Sequence, residues 1–184
     1  MIEQDRQLGT WLIRQGISCP LRMLYLMERQ PFDDVIPYQH HLKIVMRRAL
    51  GLTCPGGMEA SSDPAVASAQ TREWLQAPDA VIYGGILVWQ SFRARIPLMV
   101  RRGSQLEICQ LHGKLWKSST RTIGRGDLES GRFVSVIREA AYKRWLLERA
   151  WPDLTPKITL CFPNAQYRTA HPDLYEGVAS GEAG

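Results

Sequence analysis

Close cysteine pairs, long apolar runs and a basic leader are all missing from this sequence. Its four cysteines, Cys19, Cys54, Cys109 and Cys161, stand far apart and none forms a C-x-x-C pair. Zinc and iron–sulfur sites ordinarily show at least one close pair, so the spacing argues against both, and no cofactor is expected. No apolar run approaches the ~18–20 residues that cross a bilayer, so a membrane is not an expected partner. The opening MIEQDRQLGTWLIRQG has no basic region followed by an apolar stretch. That argues against a secretory signal and makes a cytoplasmic location the expectation. Thiols there are kept reduced. Cys109 and Cys161 lie inside apolar runs and read as small buried hydrophobes.

What is present suits one globular domain. Of 184 residues, 45% are hydrophobic and 22% charged, enough to close a single core. There is no internal repeat and no dividing linker. Residues 1–170 read as one domain. The chain after Tyr167 turns polar, small and glycine-rich, so 171–184 read as a disordered tail. The net charge of +5 favours an acidic partner, and nucleic acid is the commonest one.

The first three-quarters of the chain changes period once. Residues 1–30 read as helical, with Leu8, Trp11, Leu12 and Ile13 as an apolar face and Gly16 as a break. Ser18 is placed to cap a second helix with Pro20 in its first turn. Gln30–Pro37 reads as a loop. Tyr38–Leu52 and Pro64–Gln76 read as further helices, the latter capped by Ser62 or Asp63. Ala80–Gln90, Phe92–Arg101, Leu106–Lys117 and Lys157–Phe162 then read as strands. Gly84-Gly85 suggests a bulge or a close backbone approach, and Gly103-Ser104 a hairpin turn. Arg132–Trp151 is a strong helix. Phe133, Ile137, Ala140, Ala141, Trp145 and Leu146 are expected inward, Lys143 outward, and Pro152 stops it. Helices, three antiparallel strands, a helix and a last strand predict an α/β fold: a mixed central sheet flanked by helices.

Several stretches carry a family likeness: GISCPLRMLYL, the Cys54-Pro-Gly-Gly turn, TREWLQAPDAVIYGG, LEICQLHGKLWKSST, AYKRWLLERAW and FPNAQYR. In this order they resemble the RecB-like branch of the PD-(D/E)xK nucleases, and in particular an N-terminal nuclease-like domain of bacterial proteins. The resemblance covers about Trp11–Tyr167 and implies a restriction-endonuclease-like core. In that family an Asp and a Glu-x-Lys on a hairpin hold Mg²⁺, which polarises the phosphate and activates water.

Carried over residue by residue, the acids are missing. Arg95-Ile96 leads to Pro97 where the metal-binding Asp belongs. Glu-x-Lys falls on Gln110-Leu111-His112 by spacing from Pro97. It falls on Leu115-Trp116-Lys117 by the Ser-Ser-Thr that follows. Neither placement has an acid. The helical histidine of the branch corresponds to His41, or alternatively His40, and the later Gln/Tyr motif falls near Tyr142–Trp145, with Lys143 where Gln is expected. Gln110 and His112 alternate on one strand face, and Glu107 lies on the opposite one. Asp127 and Glu129 are candidate relocated acids, and Asp33-Asp34 reads as a loop or capping pair.

The hairpin region is rich in cations instead. Arg93, Arg95, Arg101, Arg102, Lys114, Lys117, Arg121 and Arg125 fall within about 33 residues, interleaved with Trp89, Phe92 and Trp116. Arginine with aromatics suits phosphate contact and base stacking. The expectation is therefore a catalytically inactive nuclease-like protein. It would bind nucleic acid through Arg95, Arg101, Arg102, Lys114, Lys117, Arg121 and Trp116, or serve with protein partners as a subunit of a bacterial complex. The family suggests a defence system or mobile element as the setting. The alternatives are an active nuclease with relocated ligands and a pure protein–protein adaptor.

Overall fold

The computed structural model describes residues 8–19, 21, 23, 40–112 and 133–163. They form α1 (Thr10–Ser18), α2 (His40–Thr53), β1 (Met58–Glu59), α3 (Pro64–Trp74), β2 (Asp79–Trp89), β3 (Phe92–Arg102), β4 (Gln105–Leu111), α4 (Val134–Ala150) and β5 (Thr155–Cys161). The five strands make one mixed sheet in the order β1-β2-β3-β4-β5. β2, β3 and β4 run antiparallel, while β1 is parallel to β2 and β5 to β4. A parallel partner cannot be reached by a hairpin, and α4 lies between β4 and β5 in the crossover. The mixed sheet with flanking helices is the α/β class that the sequence predicts.

Apolar alternation buries both faces. On one, Ile82, Leu87, Ile96, Met99, Leu106 and Ile108 pack with Tyr142, Leu146 and Leu147 of α4. On the other, Tyr83, Leu98 and Cys109 pack against Leu50 of α2 and Cys54. Each fully buried leucine or isoleucine stabilises by roughly 1.5–3 kcal/mol. Tyr83 also ties the sheet to the end of α2, its hydroxyl bonding the carbonyls of Leu50 (3.2 Å) and Cys54 (2.7 Å).

The strands kink together at one level. Tyr83 pairs with Leu98 and Gly85 with Ile96, so the register is unbroken and Gly84 stands opposite Pro97. Yet the residues facing α4 are Ala80 and Ile82 before Gly84 and Leu87 after it. On β3 they are Ala94 and Ile96 before Pro97 and Met99 after it. Alternation slips by one in both strands at once. Gly84 makes its half of the slip at φ +65°, a conformation open to glycine. Pro97 lacks the N–H that a central strand needs, and it sits where the ladder is already interrupted.

Gly85 answers to a different need. A Cβ there would lie 2.7 Å from the Met99 methyl and 2.9 Å from Thr71 Oγ1. Thr71 donates to the Ala67 carbonyl at 2.7 Å and accepts the Ile86 N–H at 2.9 Å. This clasp presses α3 on β2, the close approach that Gly84-Gly85 predicts. Asp63 caps α3, accepting from the Ala65 and Val66 N–H groups at 2.9 Å, with Pro64 in the first turn.

Several details correct the sequence reading. α1 runs through Gly16 to Ser18. Glycine there allows close packing, because a Cβ would clash with the Met23 sulfur. β1, only two residues long, has no periodicity to betray it. β4 ends at Leu111, short of the expected Lys117. On α4, Ile137 is exposed and Lys143 is buried, the reverse of the expected arrangement. The expected strand residues 113–117, the loop 30–37 and the tail 171–184 lie outside the described residues.

Candidate functional site

The end of β4 carries Gln110 and His112 to the face covered by α4. Gln110 is 1% exposed. Its Nε2 lies 2.7 Å from His112 Nε2. The expected same-side pairing of these two residues is therefore what the strand delivers. The Gln110 carbonyl oxygen, also buried, has no partner among the described residues. His112 stacks on Phe162, which receives Phe133 edge-on. Its backbone N–H bonds the Cys161 carbonyl at 2.9 Å, extending the β4–β5 ladder by one residue.

α4 contributes an ion pair to the same place. Glu139 and Lys143 stand one turn apart, with Nζ 2.8 Å from Oε1 and side chains only 14% and 5% exposed. Arg14 of α1 approaches Glu139 from the other side at 3.8 Å. Burial pushes the Glu139 carboxyl up. The charge and hydrogen bond of Lys143, and the charges of His112 and Arg14, outweigh it and hold the group below the usual carboxylate range. The cluster thus combines an amide, an imidazole, a carboxylate and two cations.

Its chemistry differs from that of a metal centre. Mg²⁺ is held by hard oxygen ligands, chiefly carboxylates. The carboxylate here already has an ammonium at hydrogen-bond distance. Among the described residues no three His, Cys, Asp or Glu side chains converge as metal ligands. Pro97 occupies the kink and its side chain has no donor atom to offer. Glu107 lies on the opposite face from Gln110, as its spacing predicts. There it accepts from Lys157 at 2.8 Å and from Thr159. Those two hydrogen bonds, Lys157 first, lower its carboxyl.

The expected phosphate ligands have varied surroundings. Arg95 directs its guanidinium to backbone carbonyls: Ser61 (3.0 Å), Gly84 (2.8 Å) and Ser62 (2.8 Å). It thereby clamps the kink to the β1–α3 loop, and a phosphate would have to compete with those bonds. Arg101 bonds the carbonyls of Gly103 and Leu75. Arg102 has a side chain 60% exposed and a loose 3.8 Å pairing with Asp79, and so points a cation toward solvent. His41 lies on α2. Lys114, Trp116, Lys117 and Arg121 fall outside the described residues, as do Asp33, Asp34, Asp127 and Glu129.

Trp89 and Phe92 flank the β2–β3 turn, stacked at 6.2 Å. Trp145 packs edge-on against both and Arg149 lies over Trp89. Sequence reasoning missed Glu139, and it noted Lys143 at the Gln/Tyr motif but expected it outside the core, whereas it is buried. Their signal was available: Val136, Lys143 and Leu147 stand at seven- and four-residue spacing, and that stripe is the buried one. No family model, curated protein or solved structure matches the chain.

Proposed function

We propose that this chain is a nuclease-like scaffold that holds nucleic acid without cutting it, as a subunit of a larger bacterial complex. The observation that carries the reading is the combination of topology and substitution. A helix, an antiparallel β2–β3–β4 meander, a crossover helix and a parallel β5 follow the order expected of a restriction-endonuclease-like core. At the positions where that resemblance puts metal-binding acids stand Pro97 and, in the two placements of Glu-x-Lys, Gln110 or Leu115. Metal-borne charge stabilisation is most of what such a site supplies. The amide, imidazole and internally neutralised carboxylate at Gln110, His112 and Glu139 offer no equivalent.

Affinity in this reading comes from charge and stacking. The net charge is +5; Arg102 is exposed, and the Trp89–Phe92 pair offers aromatic surface beside Arg149. The test is fluorescence anisotropy of the full chain with single- and double-stranded DNA and RNA, and gel analysis with Mg²⁺ or Mn²⁺ added. The expected result is salt-sensitive binding and intact probe. Absence of binding to every probe at moderate salt, with a protein partner retained on purification, would replace this reading with the adaptor one.

One observation favours a second reading. Glu139 is a carboxylate beside His112, as a relocated metal ligand would be. A metal there would have to displace Lys143 from its 2.8 Å contact. Metal-dependent cleavage that vanishes in Glu139→Gln would establish this alternative.

A further inference from the structure

Three of the four cysteines, far apart in sequence, meet on the sheet face opposite Gln110. Cys109 is buried there at 7% exposure, and Cys54 and Cys161, both half-buried, pack into the same cluster. All are free thiols. Cys109 pairs in register with Thr159 and Leu111 with Cys161. Cys109 and Cys161 are therefore diagonal neighbours on adjacent parallel strands, and both side chains face α2. Both pack with Leu50 and Cys54 in one cluster.

The geometry points to Cys109 and Cys161 as a redox-active dithiol that closes to a disulfide on reaction with a hydroperoxide, Cys161 attacking first. The half-buried position of Cys161 admits a small oxidant, while Cys109 lies beneath it. The electrostatics agree: interaction with Cys161, followed by burial, pushes the Cys109 thiol up, and interaction with Cys109 brings the Cys161 thiol down. The thiolate is the nucleophile in such chemistry. Diagonal positions are wider apart than an ideal disulfide. β5 closes that gap most easily, because in the described sheet it is an edge strand bonded to β4 alone.

The step balances. The Cys161 thiolate attacks one peroxide oxygen; an S–O bond forms, the O–O bond breaks, and the leaving alkoxide or hydroxide takes up a proton. The Cys109 sulfur then attacks the sulfenic sulfur. An S–S bond forms, the S–O bond breaks, and the expelled hydroxide leaves as water with the Cys109 proton. Two thiols lose two electrons and the peroxide gains them. The pair adjoins the candidate site, because Gln110 follows Cys109 and the His112 N–H bonds the Cys161 carbonyl. The dithiol itself does not depend on the nucleic-acid reading.

The experiment treats the dilute full-length protein with hydrogen peroxide, alkylates remaining thiols, and maps peptides with and without dithiothreitol. The expected product is one cross-linked pair of peptides bearing Cys109 and Cys161, two hydrogens lighter than the reduced pair and reversed by dithiothreitol, while Cys54 stays alkylatable. In Cys161→Ser, whose fold is checked by circular dichroism, Cys109 should resist peroxide at least tenfold better. The proposal is overturned if Cys109 and Cys161 remain fully alkylatable when exposed Cys19 is already oxidised. It is equally overturned if the disulfide joins Cys54, or if Cys109 oxidises at an unchanged rate in Cys161→Ser.

Discussion

Lys143 shows how one side chain can decide the character of a site. It is 4% exposed, and its charge is tolerable inside because Glu139 lies 2.8 Å away. Buried pairs of this kind are costly to break and cheap to replace together. Lys143→Met, which removes the closest cation and leaves Glu139 with His112 and Arg14, should destabilise by about 3–5 kcal/mol. The double variant Glu139→Leu/Lys143→Met should recover most of that loss, as read by urea unfolding. The pH dependence has a defined sign. Glu139 is held below its unfolded value, so its contribution is complete above about pH 4.3 and disappears as pH falls through the lower folded value. Glu139→Gln should therefore flatten the acid limb of a stability–pH profile. A limb as steep as the parent's would show that other carboxylates, Glu107 among them, dominate acid unfolding.

At the level of elements, the α3–β2–β3 unit is set by neighbouring glycines with different duties. Gly84 has room for a Cβ, its nearest neighbours lying at 3.6 Å, but sits at φ +65°. Gly84→Ala should cost about 1–2 kcal/mol through the backbone alone. Gly85→Ala meets the Met99 methyl at 2.7 Å, so shortening the obstacle with Met99→Val should partly offset it and leave Gly84→Ala unrelieved. Thermal melts of the four variants check this. Loss of the α3 cap in Asp63→Ala should cost about 1 kcal/mol. These elements were the legible ones. Proline at N1 after an Asp, alternating apolar residues and a Gly-Ser turn each have a local cause, so α3 and the β2–β3–β4 meander follow from the sequence. The burial of Lys143 has only one local sign, its place between Val136 and Leu147 on the buried stripe, and its own pairing masks it. An i,i+4 Glu–Lys pair reads as a solvent face, and only the approach of α1 and of the end of β4 makes it interior. The Gln110–His112 pairing was legible because strand alternation alone puts both on one side. The fates of Arg95 and Arg101 were not, since their carbonyl partners lie 11–34 and 2–26 residues away.

For the molecule as a whole, the property that can be tested is charge. No helix among the described residues is long and apolar enough to cross a membrane, and the excess of positive charge is +5. If that charge meets phosphates, affinity must fall linearly with salt on logarithmic axes, with a slope of about −0.9 per duplex phosphate neutralised, or about −0.7 on a single strand. The cations then divide by their present duties. Arg102, 60% exposed and loosely paired, should reduce the slope by about one unit when replaced by Ala, with little loss of stability. Arg95→Ala should instead lower the melting temperature, because three carbonyl contacts at the kink disappear. It should leave the salt slope unchanged, since that guanidinium already serves the backbone. Anisotropy titrations at four salt concentrations, paired with melts of the same samples, separate the two roles. A slope that Arg95→Ala lowers and Arg102→Ala does not would move the nucleic-acid surface from the β3–β4 turn to the kink, and with it the path a bound strand takes across the sheet.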